Sequence, residues 1–184
     1  EYIVSEDYNG TFNGSDEVAM KMAGKERLGA LEYLKTHTDK LNSGLVITVD
    51  YCGFRVLGVA NIPTQQVTFN DEGEIKKISE VKVHGLSPDG NMFISKNRVA
   101  DGLLKTAAMR LHLCEHSVKG LADGQSTSTC ASADLQVYLG HDQEFYIKNF
   151  WRAFPPEDPD VTTHLPKVPR DQSIIWRKLR PEFC

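Results

Sequence analysis

The chain lacks most of the signatures that would commit it to a chemistry at first sight. None of its four cysteines, Cys52, Cys114, Cys130 and Cys184, belongs to a CxxC pair. That leaves no thiolate zinc knuckle or dithiol redox motif and favours reduced, structural thiols in a reducing cytoplasmic setting. His112 and His116 have i,i+4 spacing but no further ligand set beside Cys114 and Glu115, so no metal is expected. No run approaches the roughly 20 apolar residues that cross a bilayer, and no basic-then-apolar leader opens the sequence, so membrane insertion is not expected. Positive charge is not in excess: 21 Lys and Arg face 25 Asp and Glu, for a net charge of −4. A surface that binds phosphates throughout is thereby excluded, although a local basic patch is not. There is no internal repeat. The glycines Gly120 and Gly124 lack the strand-to-helix context of a phosphate loop.

What is present is ordinary for a globular domain. With 184 residues, 40% apolar and 25% charged, the chain suits one domain over residues 1–184 with a real core. Starting at Glu1 without methionine and stopping at Cys184, it reads as a piece of a longer multidomain protein. Its most informative stretch is residues 133–157. Leu135 to Leu139 and Phe145 to Phe150 are β-rich runs joined by Gly140-His141-Asp142-Gln143, the composition of a hairpin connection. Pro155 and Pro156 then end any ladder.

Taken in order, residues 1–14 suggest an extended arm and a turn. Ser15-Asp16-Glu17 then opens a helix running to about His37. A helical wheel puts Ala19, Ala23, Ala30 and Leu34 on one face, flanked by Met20 and Met22, with Glu26 in the middle. A carboxylate there needs a partner, for which Arg55 is a candidate, unless the helix is rotated and Glu26 sits at the edge. Gly44 to Tyr51 and Phe54 to Pro63, joined by Cys52-Gly53, are the most β-like runs and read as a tight hairpin at the centre of a sheet. Gln66 to Phe69 and Ile75 to His84 read as shorter edge strands. A second helix is expected over about Lys96 to Glu115, burying Val99, Ala100, Leu103, Leu104, Ala107, Leu111 and Cys114. Ser117 to Ala131 reads as a long loop. Residues 155–172 form a proline-rich crossing, and Ile174, Ile175, Trp176 and Leu179 close against the core.

Several of these pieces, in this order, resemble the Clu domain of the clustered mitochondria family. They are Asp16-Glu17-Val18-Ala19-Met20-Lys21 with Glu26-Arg27-Leu28-Gly29, Val49-Asp50-Tyr51-Cys52-Gly53-Phe54-Arg55, and Leu111-His112-Leu113-Cys114-Glu115-His116. Asp134-Leu135, Gly140-His141-Asp142, Arg152-Ala153-Phe154-Pro155-Pro156-Glu157 and Leu179-Arg180-Pro181-Glu182 complete the set. The resemblance implies a cytosolic protein concerned with mitochondrial distribution, mRNAs for mitochondrial proteins and translation initiation. A more distant similarity, in element order, is to protein-kinase-like folds from the αC helix onward. It would make Glu26 the ion-pairing residue, Asp134 the catalytic aspartate and Asn149 a metal-binding position, with Mg-ATP as cofactor. Where the resemblance implies an acid at 149 and a histidine at 138, the chain has Asn149 and Tyr138. A neutral amide is a poor magnesium ligand.

These observations lead to an α+β fold: an antiparallel sheet, two main helices and a C-terminal hairpin, distantly kinase-like. The function they favour is a non-catalytic domain that needs no cofactor and meets protein partners or other domains of its own chain. The alternative is a nucleotide-binding domain using Glu26, Asp134 and Asn149. Arg55 and Arg152 are candidate ligand-binding arginines, although Arg152 is first expected to pair with Glu157 or Glu182. RNA binding would need Lys96, Arg98, Lys105, Arg110 and Lys119 to cluster around an aromatic platform such as Phe93.

Overall fold

The computed structural model describes residues 16–69, 72, 75–87, 91–119 and 126–155. Its spine is β5 (Ile75–Leu86), whose first half pairs with β4 (Gln65–Phe69). The second half pairs with β6 (Phe93–Ser95) and with β9 (Gln136–Leu139). β9 continues through the expected turn into β10 (Phe145–Lys148), matching Phe145 with Leu139 and Lys148 with Gln136. β1 (Leu41–Ser43) then adds in parallel to β10, giving six strands with β1-β10-β9-β5-β4 along the main path. The α+β expectation, with two helices, mostly antiparallel strands and the hairpin near residue 140, describes this architecture.

Alternation decides which side is buried. Val137 and Ile147 sit opposite each other on the inner face of the β9–β10 pair. The other face carries Glu80, Lys82, Gln136 and Lys148 around Tyr138, with Lys148 Nζ 4.7 Å and Lys82 Nζ 5.6 Å from the Tyr138 ring centre. Helix α2 (Arg98–Arg110) lays Ala100, Leu104 and Ala107 on the inner face, together with Leu111 just beyond its end. It starts where Asn97 accepts hydrogen bonds from the Val99 and Ala100 amides. The helix stops at Arg110 rather than near Glu115, which leaves Cys114 exposed, and Val99 in its first turn is exposed as well instead of buried.

Helix α1 (Asp16–Lys35) covers the same core, on a face turned from the expected one. Met22, Ala23, Glu26, Gly29, Ala30 and Tyr33 are buried while Leu34 is exposed. The cause is a close approach at Gly29, where any Cβ would collide with the backbone of Phe150. With Gly29 fixed there, Tyr33 one turn on stacks at 5.5 Å against the Phe150 ring.

Two hairpins stand outside the six-stranded sheet. β2 (Val46–Tyr51) and β3 (Phe54–Val59) turn at Cys52 and Gly53, both with positive φ, which Gly53 adopts without strain. They are a hairpin as expected, but not at a sheet centre: among the described residues they pair only with each other. The centre is β5, which the sequence placed at an edge. β7 (His116–Lys119) and β8 (Ser126–Thr129) form the second hairpin, where a loop was expected. Their Ser- and Thr-rich strands are mostly exposed and carry no apolar alternation to reveal them. The N-terminal arm, the proline-rich crossing after Pro155, the C-terminal closing segment, Gly120, Gly124, Glu157 and Glu182 lie outside the described residues.

Candidate functional site

The strongest surface feature is the β2–β3 hairpin. Its register pairs Val46 with Val59, Thr48 with Leu57 and Asp50 with Arg55 on one face, and Ile47 with Gly58, Val49 with Val56 and Tyr51 with Phe54 on the other. The first face looks toward α1. Leu57 is buried there, and an Arg55 guanidinium nitrogen lies 4.0 Å from where a Gly24 Cβ would stand. Solvent-facing faces are normally polar. The second face is apolar throughout: Ile47 and Val49 are each 50% exposed, Tyr51 and Phe54 each 74%, and Val56 38%. Leu45, bonded through its carbonyl to the Ala60 amide, extends that face by one more exposed residue.

Arg55 is placed by its cross-strand neighbour. Its Nε and Nη2 donate to the two Asp50 carboxylate oxygens at 2.6 and 2.7 Å, a two-pronged pair that matches the planar fork to the carboxylate. The bond to Arg55 lowers the Asp50 pKa and the same bond raises that of Arg55. The guanidinium is thus engaged on the α1 side of the hairpin and leaves the apolar face uncharged.

Two of the residues proposed for phosphoryl chemistry flank one end of the β9–β10 pair. Asp134 lies just before β9 and Asn149 just after β10, at positive φ. Arg152 folds back through the turn closed by the Ala153 amide on the Phe150 carbonyl, and its Nη1 meets Asp134 Oδ2 at 2.7 Å. Among the described residues the half-buried partner of Arg152 is Asp134, while the expected partners Glu157 and Glu182 lie outside them. The Arg152 guanidinium also stacks on Trp151 at 4.0 Å. Its Nε and the nearby Ser132 Oγ are buried without hydrogen-bond partners among the described residues. Glu26 is buried on α1 three residues before Gly29, on the face that meets Phe150.

A buried polar chain that the sequence did not reveal crosses the core. His84 Nδ1 lies 2.9 Å from Asp101 Oδ1 and Nε2 lies 3.3 Å from Thr129 Oγ1, while Ser95 donates to Asp101 Oδ2 at 2.8 Å. The register shift between Lys82 and His84 creates it by turning His84 inward, opposite Val137. Burial lowers the His84 pKa, outweighing the opposite pull of Asp101. The Asp–His–Thr order is that of a proton relay, yet His84 is 1% exposed and Phe93 packs edge-on at 5.1 Å. It joins β5, α2 and β8, and its role is structural.

Among the residues named for a conditional RNA platform, three have partners of their own. Phe93 is buried against His84, and Arg110 donates to the Thr36 and His37 carbonyls, tying α2 to the end of α1. Lys105 lies 3.9 Å from Glu115. Cys52, Cys114 and Cys130 are free thiols; Cys52 and Cys114 are exposed. No helix among the described residues is long and apolar enough to cross a membrane.

The described residues thus form an α+β domain that turns an apolar hairpin face outward. The family model described as CLU, clustered mitochondria, matches residues 2–159, and the chain belongs to that family. The clustered mitochondria protein homolog of Brugia malayi is 30% identical over 156 residues, which are 81% of this chain and 10% of that protein. That of Caenorhabditis briggsae is 25% identical over 184 residues, covering 93% and 14%. Protein clueless of Drosophila ananassae is 26% identical over 164 residues, covering 88% and 10%. The chain thus spans only a tenth to a seventh of these relatives' lengths. No solved structure matches it, and the kinase-like similarity gains no support from that comparison.

Proposed function

We propose that this is a non-catalytic assembly domain of a cytosolic clustered mitochondria family protein, acting in mitochondrial distribution and the mRNA-related work of that family. The observation that carries the reading is the wholly apolar, outward face of the β2–β3 hairpin. Single exposed apolar residues mean nothing, but a contiguous exposed face marks an interaction site. Membership of the clustered mitochondria family supports the setting proposed here.

The test places Val49→Asp in the full-length protein and follows mitochondrial distribution by microscopy. Redistribution of mitochondria is expected, with the thermal stability of the 184-residue chain unchanged, because Val49 is half exposed. Normal distribution with the variant rejects the reading. The nucleotide-binding alternative with Mg-ATP is separated by thermal unfolding with and without that ligand, since a ligand that binds only the folded state must stabilise it. No shift is expected. A shift that Asp134→Ala removes would establish the alternative.

A further inference from the structure

The apolar hairpin face tapers along its length. Tyr51 and Phe54 fill the turn end with rings, Val49 and Val56 form the middle, and Ile47 with Gly58 forms the far end. Gly58 carries no side chain, and Ile47 leans across it, 2.9 Å from where a Gly58 Cβ would stand. A surface thick at one end and thin at the other is complemented by the same surface turned end for end. The charged side chains of the hairpin itself, Asp50 and Arg55, lie on the opposite face and neutralise each other. Two chains of net charge −4 can therefore meet there without opposing like charges at the contact.

We infer that the occupant of this face is a second copy of the same chain, stacked hairpin on hairpin about a two-fold axis through the Val49–Val56 pair. This rests on reading the hairpin as a docking surface. The axis lies between the two sheets and perpendicular to their strands, so each β2 covers the partner's β2. Val49 then faces its own equivalent, as does Val56, Phe54 covers the partner's Gly58, and Tyr51 covers its Ile47. Such an interface is self-complementary, as closed two-fold symmetry requires. Two exposed aromatic and four exposed aliphatic side chains per copy present roughly 500 Å² by the usual areas of such side chains, or about 1,000 Å² for the pair. That is at the threshold a specific interface must clear, so a weak, reversible dimer is expected.

Sedimentation equilibrium of the 184-residue chain over about 1 μM to 1 mM should show a monomer–dimer equilibrium, those limits bracketing the affinities given by weak interfaces. Val49→Asp and Val49→Lys should each be monomeric, with unchanged circular dichroism. Mixed in equal amounts they should associate again, because the two-fold places position 49 against itself. Tyr51→Ser with Phe54→Ser, at two largely exposed sites, provides a second route to the monomer. A wild-type chain that stays monomeric throughout overturns the inference, as does a Val49→Asp variant that still dimerises or a mixture that does not. If the wild type is monomeric while Val49→Asp still redistributes mitochondria, the partner is another protein and the docking surface stands. If that variant changes neither, both readings fail.

Discussion

His84 is the residue whose surroundings most sharply separate the folded from the unfolded chain. It is 1% exposed, held between Asp101 and Thr129, and burial holds its pKa below the ordinary 6.5. The neutral ring with its proton on Nδ1 suits both neighbours, donating to Asp101 and accepting from the Thr129 hydroxyl. An unfolded chain takes up a proton near pH 6.5, whereas the folded one does so only at lower pH. Stability is therefore full above about 6.5 and falls as pH drops toward the folded pKa, where the loss levels off. Unfolding midpoints between pH 7.5 and 5 should decline, and His84→Gln should be less stable at pH 7.5 with a flatter decline. Arg152 gives a second test. Removing it leaves Asp134 partly buried without its cation and strips a guanidinium from Trp151, so Arg152→Ala should cost about 1.5–3 kcal/mol in a denaturant titration. The pairing was legible only in kind. The sequence shows an arginine in need of a carboxylate, but Asp134 comes within reach only through the fold-back at Phe150 and Ala153.

At the scale of elements, periodicity located both helices and the hairpins at residues 46–59 and 136–148, because each carries apolar spacing or turn residues of its own. It could not orient α1. Leu34 and Tyr33 are equally plausible core residues on a wheel, and a contact 121 residues away at Phe150 decides between them by demanding a glycine at 29. Gly29→Ala should therefore force α1 off the hairpin end. Overpacking of this kind costs about 1–3 kcal/mol, despite alanine's better helix propensity. Chemical denaturation of that variant beside Gly102→Ala checks it, since a Cβ at Gly102 meets nothing. The expected signs are opposite: destabilised at 29, stabilised at 102. The buried His84 chain was hidden for a related reason. A strand bulge leaves no mark in a single sequence, yet it reverses which residues face inward.

For the whole molecule, apolar character and depth in the fold do not coincide. The most β-like and apolar runs, residues 44–63, were expected at the centre, whereas β5, with Lys76, Lys77, Glu80 and Lys82 along its length, was expected at an edge. In the fold β5 is an interior strand that pairs with β4, β6 and β9, and the apolar hairpin is peripheral. A central strand tolerates charges when one sheet face is left to solvent, and here that face holds Lys148 on Glu80 at 2.8 Å. The misplaced apolar run and the proposed docking face are the same residues. Local stability should follow connectivity rather than hydrophobicity. Hydrogen exchange of the dilute, monomeric chain should show the slowest amides in the second half of β5, in β9 and β10, and along the buried face of α2. The β2–β3 and β7–β8 amides should exchange far faster, despite the branched and aromatic side chains of β2 and β3. At concentrations where two copies associate, protection should rise in β2 and β3 and remain unchanged in β7 and β8. Protection of β2 and β3 equal to that of β5 in the dilute chain would place the hairpin inside the core structure and remove the basis for a free docking face.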